Sequence, residues 1–501
     1  MKIKILSILL LFSNILFAQE EYSLEQCRKL ALEHNQKIQI AKEHSGAATA
    51  LKKSAKTQFL PNFNFNGTYT RLNKQFSLLE NDMLLPVIPA SAISNGTLNG
   101  AALTPPTAEQ PNPYFDPDVF ASTFVINPAT GAPVLDADGN PVFQNYTYIP
   151  KDKAKMGSKN MYLMNIGLTQ PIFMGGKIKE TYKIAKYGEN AANATERLKI
   201  SDILYKTDEA YWRVISVQEK VKLAENYKKM LDTLLIDLQN IYDEGIITNN
   251  DLLKAKVKLN EVNLKLLKAN NGLTLSKMAL CQIIGLPLNS EIALSDSLSD
   301  LYQINPDQSY TDIALQTRPE IEILQNSVNI AKSGVNIMKS RYMPNIGLTA
   351  NYFFANPNPY TGFSEDFGSD WNVGVVCNIP IFHWGDKKHT LRAAKHEQKA
   401  TELKLEETQE LISLQVKQAV FKSNESVTKV QMTKISLEQA KKNLDDTKNK
   451  FKEGILKTTD VLDAQALWQN AYSEYIDAVT ENKLNQTNLL KVTGQLKNIK
   501  Y

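Results

Sequence analysis

The side chains able to bind or react are few, and their spacing removes most chemistries. Three cysteines, Cys27, Cys281 and Cys377, include no CxxC pair, so neither a zinc scaffold nor a disulfide framework is available. The histidines His34, His44, His383, His389 and His396 contain no HxxxH or HExxH spacing, which argues against a metallohydrolase. Asp136-Ala137-Asp138-Gly139-Asn140 has the opening of a calcium loop, but no Glu closes it at the required distance. Flanked by Val134-Leu135 and Val142-Phe143, it reads as a hairpin turn. No nucleophile–base pair, phosphate loop or metal cluster emerges, so the chain is expected to catalyse nothing and to need no cofactor. Two carboxylates remain: Asp460 and Asp463 are three apart, on one face of a helix. Asp251 occupies the place of Asp460 in an earlier copy of the same pattern, whereas the place of Asp463 is taken there by Lys254. For Asp251 and Asp460 a second reading holds equally, since any carboxylate is favourable in the first turn of a helix.

The composition of the 501 residues, 22% charged and 43% hydrophobic, is that of a folded protein. A net charge of +4 is too mild to demand a nucleic-acid partner. Lys2 and Lys4, an apolar run over residues 5–17 and the small residue Ala18 read as a signal peptide over residues 1–18. No later run of 18 apolar residues exists, so no helix of the mature chain is expected to span a bilayer. The protein is expected to be exported.

The chain is two copies of one unit. Pro171-Ile172-Phe173-Met174-Gly175-Gly176 returns as Pro380-Ile381-Phe382-His383-Trp384-Gly385, an offset of 209 residues from Pro171 to Pro380. The same offset pairs Gly245-Ile246 with Gly454-Ile455, Asp251 with Asp460, and Gly285 with Gly494. Before residue 71 the offset is 283, pairing Pro61 with Pro344 and Ala31-Leu32 with Ala314-Leu315. The extra length therefore falls between about residues 71 and 161.

Strict apolar–polar alternation appears four times, carried by Phe63, Phe65 and Tyr69, by Tyr162, Met164, Ile166 and Leu168, by Ile346, Leu348, Tyr352 and Phe354, and by Trp371, Val373, Val375, Cys377 and Ile379. Runs of about ten residues fit tilted strands that cross an outer membrane, although any one alone would also suit a soluble sandwich. Proline-free stretches over 177–244 and 386–453 have helical periodicity and length for about 100 Å each. Shorter helices are expected over 23–58, 249–284, 311–342 and 459–493. The domain plan is thus a first repeat over 19–301, with strand 59–71, a long external loop 72–160, strand 161–172 and a helical hairpin 176–284. The second repeat covers 302–501, with helix 311–342, strand 344–355, a short loop, strand 371–381 and hairpin 386–494. Within the long loop, residues 72–150 hold eleven of the twenty prolines, and among charged residues seven acids against Lys74 alone.

Four strands cannot close a barrel, and an open edge in lipid costs several kcal/mol per unpaired backbone group. Closure requires several copies of the chain. The fold class expected is an α+β membrane protein: an oligomeric transmembrane β-barrel, four strands per chain, continued by a long α-helical barrel in two tandem repeats. A periplasm-spanning adaptor and a general porin are the alternatives. Adaptors carry one helical hairpin between β modules, and porins are not mostly helical.

The sequence resembles the TolC family of outer-membrane efflux proteins over essentially the whole mature chain. The strand-Pro-Ile-Phe-x-x-Gly joins at Pro171 and Pro380 carry the resemblance, with Tyr242-Asp243-Glu244-Gly245 and Phe451-Lys452-Glu453-Gly454, and the Leu-rich helix ends before Gly285 and Gly494. It implies a Gram-negative outer-membrane homotrimer that serves as the exit duct of an efflux pump or type I secretion system. It also implies a periplasmic adaptor and, through it, an inner-membrane transporter as partners. Gly245, Ile246, Ile247 and Thr248, with Gly454, Ile455, Leu456 and Thr458, would form the adaptor-docking tips, their isoleucines and leucine exposed. Glycines ending helices and threonines starting them are also plain hairpin chemistry. Asp460 and Asp463, with Asp251, would line the periplasmic aperture as an acidic ring attracting cations. Cys27 and Cys281 lie near ends of helices that the family stacks, so a disulfide and two free thiols are both compatible.

Overall fold

The computed structural model describes residues 21–298 and 308–496; the expected signal peptide lies outside the described residues. By internal contacts the chain forms two compact units that cut across the repeats, because each repeat gives its helices to one and its strands to the other. The helical unit contains α1 (Leu24–His34), α2 (Gln36–Thr57), α4 (Lys177–Asp243), α5 (Asn249–Ile284), α6 (Tyr310–Thr317), α7 (Pro319–Ser340), α8 (Asp386–Lys452) and α9 (Thr458–Val492). A short helix α3 (Pro117–Thr123) belongs to the other unit.

The repeat offsets reappear as element lengths. Helices α4 and α8 are both 67 residues long, and α2 and α7 both 22. Each long helix starts after a left-handed glycine, Gly176 at φ 87° and Gly385 at φ 84°, a conformation open to a residue without Cβ. Packing runs α2 on α4, α4 on α7 and α7 on α8, while α5 lies along α4 and α9 along α8.

The single helices expected over 23–58 and 311–342 are each broken in two. Asn35 ends α1 and caps α2, its carboxamide oxygen accepting from the Lys37 N–H while its Nδ2 donates to the Ile283 carbonyl. Pro319, which has no N–H to continue a helix, starts α7. Both breaks receive the end of another helix: a Cβ on Gly285 would come 2.5 Å from His34 Cβ, and one on Gly494 2.7 Å from Thr317 Oγ1.

Around the first of these breaks the helical unit buries its largest core cluster. Cys27, Ala31 and Ile38 meet Ile203, Tyr211, Ile215, Leu280, Cys281 and Ile284. Both thiols are free and fully buried, and burial pushes the Cys27 thiol up to about 12. Inside this apolar region Arg28 forms a two-point ion pair with Asp208, which also accepts from the Thr487 hydroxyl at 2.9 Å. Close by, the Tyr211 hydroxyl and the Leu24 N–H both donate to Asp296.

The strand unit is built on one four-stranded sheet of β1 (Asn62–Arg71), β2 (Asn160–Met174), β3 (Asn345–Asn356) and β4 (Gly368–Asn378), in the order β4-β3-β2-β1. Strand β4 stops at Asn378, short of the expected 381, because its partner β3 begins there, Asn345 pairing with Asn378. Along one face asparagines form a row: Asn66 pairs with Asn165, Asn165 reaches Asn351, and Asn351 donates to Asn372 at 3.0 Å. The alternate residues, among them Phe63, Phe65, Trp371, Val373 and Val375, are exposed. Among the described residues β1 and β4 are edges with no further partner strand.

Beyond β1 and β2 the hairpin continues as two short ribbons, Phe76–Ser77 with Lys155–Met156 and Met83–Pro86 with Tyr146–Ile149. The segment then builds its own small core from Ala92, Ala102 and Val119, beside a chain of rings from Phe115 through Phe120, Phe124 and Phe143 to Tyr146. Residues 136–140 form the expected turn. The Asp136 Oδ1 accepts from the N–H groups of Asp138 and Asn140, and Val142 bonds back to Val134. Because this segment's packing is its own, cutting residues 72–150 to the length of 355–370 is expected to leave oligomers intact by native mass spectrometry. Loss of the oligomer would make the segment part of the assembly.

Candidate functional site

The two helical hairpins end in the same geometry. At the first, Gly245 at φ 74° sends its N–H to the Tyr242 carbonyl, and the Ile246 N–H reaches back to Ile241. At the second, Gly454 at φ 77° bonds to Phe451 and Ile455 to Lys450. This paired 5→2 and 6→1 pattern satisfies the last carbonyls of each helix and requires the left-handed residue. It also turns the following side chain outward: Ile246 is 70% and Ile455 66% exposed.

The other expected tip residues differ. Ile247 and Leu456 are only half-exposed, and Ile247 packs against a cluster formed by Tyr227, Leu231, Leu234, Leu252, Val461 and Leu462. Thr458 is buried and is the first helical residue; Lys457 holds the cap position instead. Thr248 does hold the cap position of α5, but its hydroxyl donates to Asp251 at 2.8 Å rather than accepting from the backbone. So each hairpin offers one isoleucine outward, and at the first the next residue, Ile247, anchors the turn.

The three acids separate by their bonds. The Asp460 carboxylate accepts from the Lys457 N–H at 2.8 Å, tying down the start of α9. Asp251 accepts from Thr248 and faces Lys254 at 3.9 Å. Asp463 is exposed and, among the described residues, joins no ion pair. It borders a groove of about 450 Å³ between α5 and α9 with Leu253, Lys254, Val257, Leu462 and Ala466.

A polar cluster lies near the same end, with little signature in the sequence. Gln465 is 1% exposed, and among the described residues neither its Oε1 nor the buried Tyr227 hydroxyl has a hydrogen-bond partner. Lys448 places Nζ 3.2 Å from the Met230 sulfur, beside a 230 Å³ pocket that Asp237, Phe451 and Gln465 also line. Burial, aided by Lys452, pushes the Lys448 ammonium below its ordinary range. The available signal was position: Lys448 lies four residues after buried Leu444 and three before Phe451, on the apolar seam.

Since the folded pKa is depressed, the unfolded chain holds the proton more tightly, and stability rises with pH between the folded value and the unfolded 10.5. Lys448→Met is therefore expected to raise the thermal midpoint at pH 7, by about 1 kcal/mol of stability. The gain should shrink as pH climbs toward that unfolded value. A gain that did not vary with pH would exclude desolvation as its cause.

A four-stranded sheet with two open edges, a polar row across it, and paired 67-residue helices ending in matched hairpins define a channel-forming protein of outer-membrane type. The model of the family described as outer membrane efflux protein matches residues 144–286 and 311–495, and the chain belongs to that family. Among curated proteins it is 23% identical over 323 residues to the alkaline protease secretion protein AprF of Pseudomonas aeruginosa, covering 62% of this chain and 65% of AprF. It is 22% identical over 379 residues to the outer membrane protein TolC of Escherichia coli, covering 70% of this chain and 73% of TolC. The chain thus spans about two thirds of the length of these relatives. Among solved structures it matches the CmeC outer membrane channel of Campylobacter jejuni at a TM-score of 0.69 and 17% identity, covering 94% of this chain and 86% of that one. The open state of the Neisseria gonorrhoeae MtrE channel matches at 0.68 and 16% identity, covering 94% and 89%.

The fold is accordingly that of these channels: strands that contribute to an oligomeric transmembrane β-barrel, and helices that contribute to a periplasmic α-barrel, in tandem repeats. The protein resides in the outer membrane of a Gram-negative bacterium, and its family comprises efflux channels rather than enzymes.

Proposed function

We propose that the protein is a passive exit duct, serving an efflux pump or a type I secretion system. The observation that carries this reading is the combination of open strand edges with long paired helices on one chain. The edges require further copies, and the helices give the closed barrel a periplasmic extension. Two copies would close eight strands and three copies twelve, and the family resemblance selects three, so the duct is a homotrimer. The hairpin ends, with Gly245, Ile246, Ile247 and Thr248 and with Gly454, Ile455, Leu456 and Thr458, receive a periplasmic adaptor that links the duct to an inner-membrane transporter, buried Thr458 supporting the turn rather than the contact. Exposed Ile246 and Ile455 are the apolar points available for that contact. Asp460, Asp463 and Asp251 line the aperture, where symmetry multiplies each carboxylate.

Native mass spectrometry of the detergent-extracted protein tests the assembly, and planar-bilayer recording tests the duct. A trimer that conducts ions is the expected result. A dominant monomer or dimer, or a trimer that never conducts, would overturn the reading.

A further inference from the structure

At one end of the helical unit four helix termini lie side by side: the last turns of α2 and α7 and the first turns of α4 and α8. Cross-helix bonds set this register, Lys52 to Glu189 at 2.5 Å, Asn336 to Glu180 at 3.4 Å and Arg341 to Asp386 at 2.6 Å. Apart from Asp386, the exposed charges there are basic, with Lys53 and Lys56 from α2, Lys177 and Lys179 from α4, Lys339 from α7 and Lys388 from α8. Over residues 51–57, 177–183, 335–341 and 386–392 the only acids are Glu180 and Asp386, and each is already paired, with Lys183 and Arg341. A chain of net charge +4 therefore concentrates unopposed positive charge at this one end.

Apolar side chains stand out at the same end. The exposed alternation of Val373 and Val375 in β4 persists along the chain at Ile379 and Ile381, and Ile381 is 92% exposed. Phe382 is exposed beside Trp384, which is itself 90% exposed, their rings 5.0 Å apart. Trp384 has φ 46°, a left-handed conformation unfavourable for a bulky residue. The first repeat has Gly175 here, at φ 59°, where a Cβ would strike Met343 Cβ at 2.7 Å. Tyr342 is exposed too, with Lys387 Nζ 5.5 Å over its ring. Among the described residues the Phe382 ring meets this strained, solvent-facing indole but leaves it 90% exposed, whereas a lipid headgroup region would cover it, since Trp and Tyr favour that boundary.

We infer that this end of the helical unit is a collar for anionic phospholipid headgroups in the periplasmic leaflet. Phe382 and Trp384 enter the boundary of the leaflet. The lysines, with flexible stems that reach toward the headgroups, hold the phosphates. The charge is complementary to an anionic headgroup, and the apolar alternation is continuous with that of a membrane strand.

The test equilibrates the purified oligomer with equimolar phosphatidylglycerol and phosphatidylethanolamine, washes it, and quantifies retained lipid. The wild type should retain phosphatidylglycerol about fivefold or more over phosphatidylethanolamine, as several juxtamembrane lysines imply. Lys53→Gln, Lys56→Gln, Lys177→Gln and Lys179→Gln together should bring the ratio near one, while the four Lys→Arg changes keep it. Lys441→Gln, Lys442→Gln, Lys450→Gln and Lys452→Gln, far along α8, should leave it unchanged. If the four-site variant fails to assemble, Lys53→Gln with Lys56→Gln alone should still lower the ratio measurably. An unchanged ratio in the assembled collar variant, or an equal loss in the α8 control, would overturn the collar. So would an unchanged ratio with lost binding to purified cell-wall sacculi, which would assign these lysines to the wall.

Discussion

Arg28→Met is expected to lose about 3–5 kcal/mol of stability, the range for removing one partner of a buried ion pair. Asp208 is fully buried, so without Arg28 its carboxylate keeps, among the described residues, the Thr487 hydroxyl alone against the cost of desolvation. The pair joins α1 to α4, and Thr487 extends it to α9, so its loss should loosen the region where the helices are interrupted. Thermal unfolding followed by helical circular dichroism measures the effect. Replacing both, Arg28→Met with Asp208→Leu, should recover most of the loss, because an apolar pair of similar volume carries no desolvation cost. A single variant as stable as the wild type would mean that water reaches Asp208 and that the pair is not sealed.

Neutralising the proposed aperture acids should change conduction much more than stability. In a trimer Asp460→Ala with Asp463→Ala would remove six carboxylates from the proposed constriction, and both cation preference and block by multivalent cations should fall clearly in planar-bilayer recordings. The two positions are not equivalent. Asp460 accepts the Lys457 N–H, so its replacement alone should cost about 1 kcal/mol through the lost helix-start bond. Asp463 is exposed and has no ion pair among the described residues, so Asp463→Ala should leave stability within about 0.5 kcal/mol. The single Asp463→Ala variant is therefore the cleaner probe. Unchanged selectivity and block in an assembled double variant would leave both aspartates as helix-end residues and nothing more.

The sequence by itself determined the elements, because their signals are local. Alternation marks the four strands, and proline-free helical periodicity marks α4 and α8. The offsets of 209 and 283 residues recur in the helix boundaries, since Lys177 maps onto Asp386 and Gln36 onto Pro319. The hairpin glycines were legible for the same reason, as a left-handed turn after a long helix leaves a residue type behind. Tertiary structure decided whatever depends on a distant neighbour. The interruption at Asn35 has almost no local signal, because its cause is a helix end some 250 residues away that must fit against His34. Thr458 looked like a cap and is buried, since packing moved the cap to Lys457. Asp208 and Lys448 sit at seam positions where the sequence shows only a charge out of place. Asp208 found Arg28 across 180 residues and is satisfied, whereas Lys448 found the Met230 sulfur and is desolvated. Periodicity fixes which side of a helix a charge occupies, but only the packed neighbour fixes whether that charge is compensated.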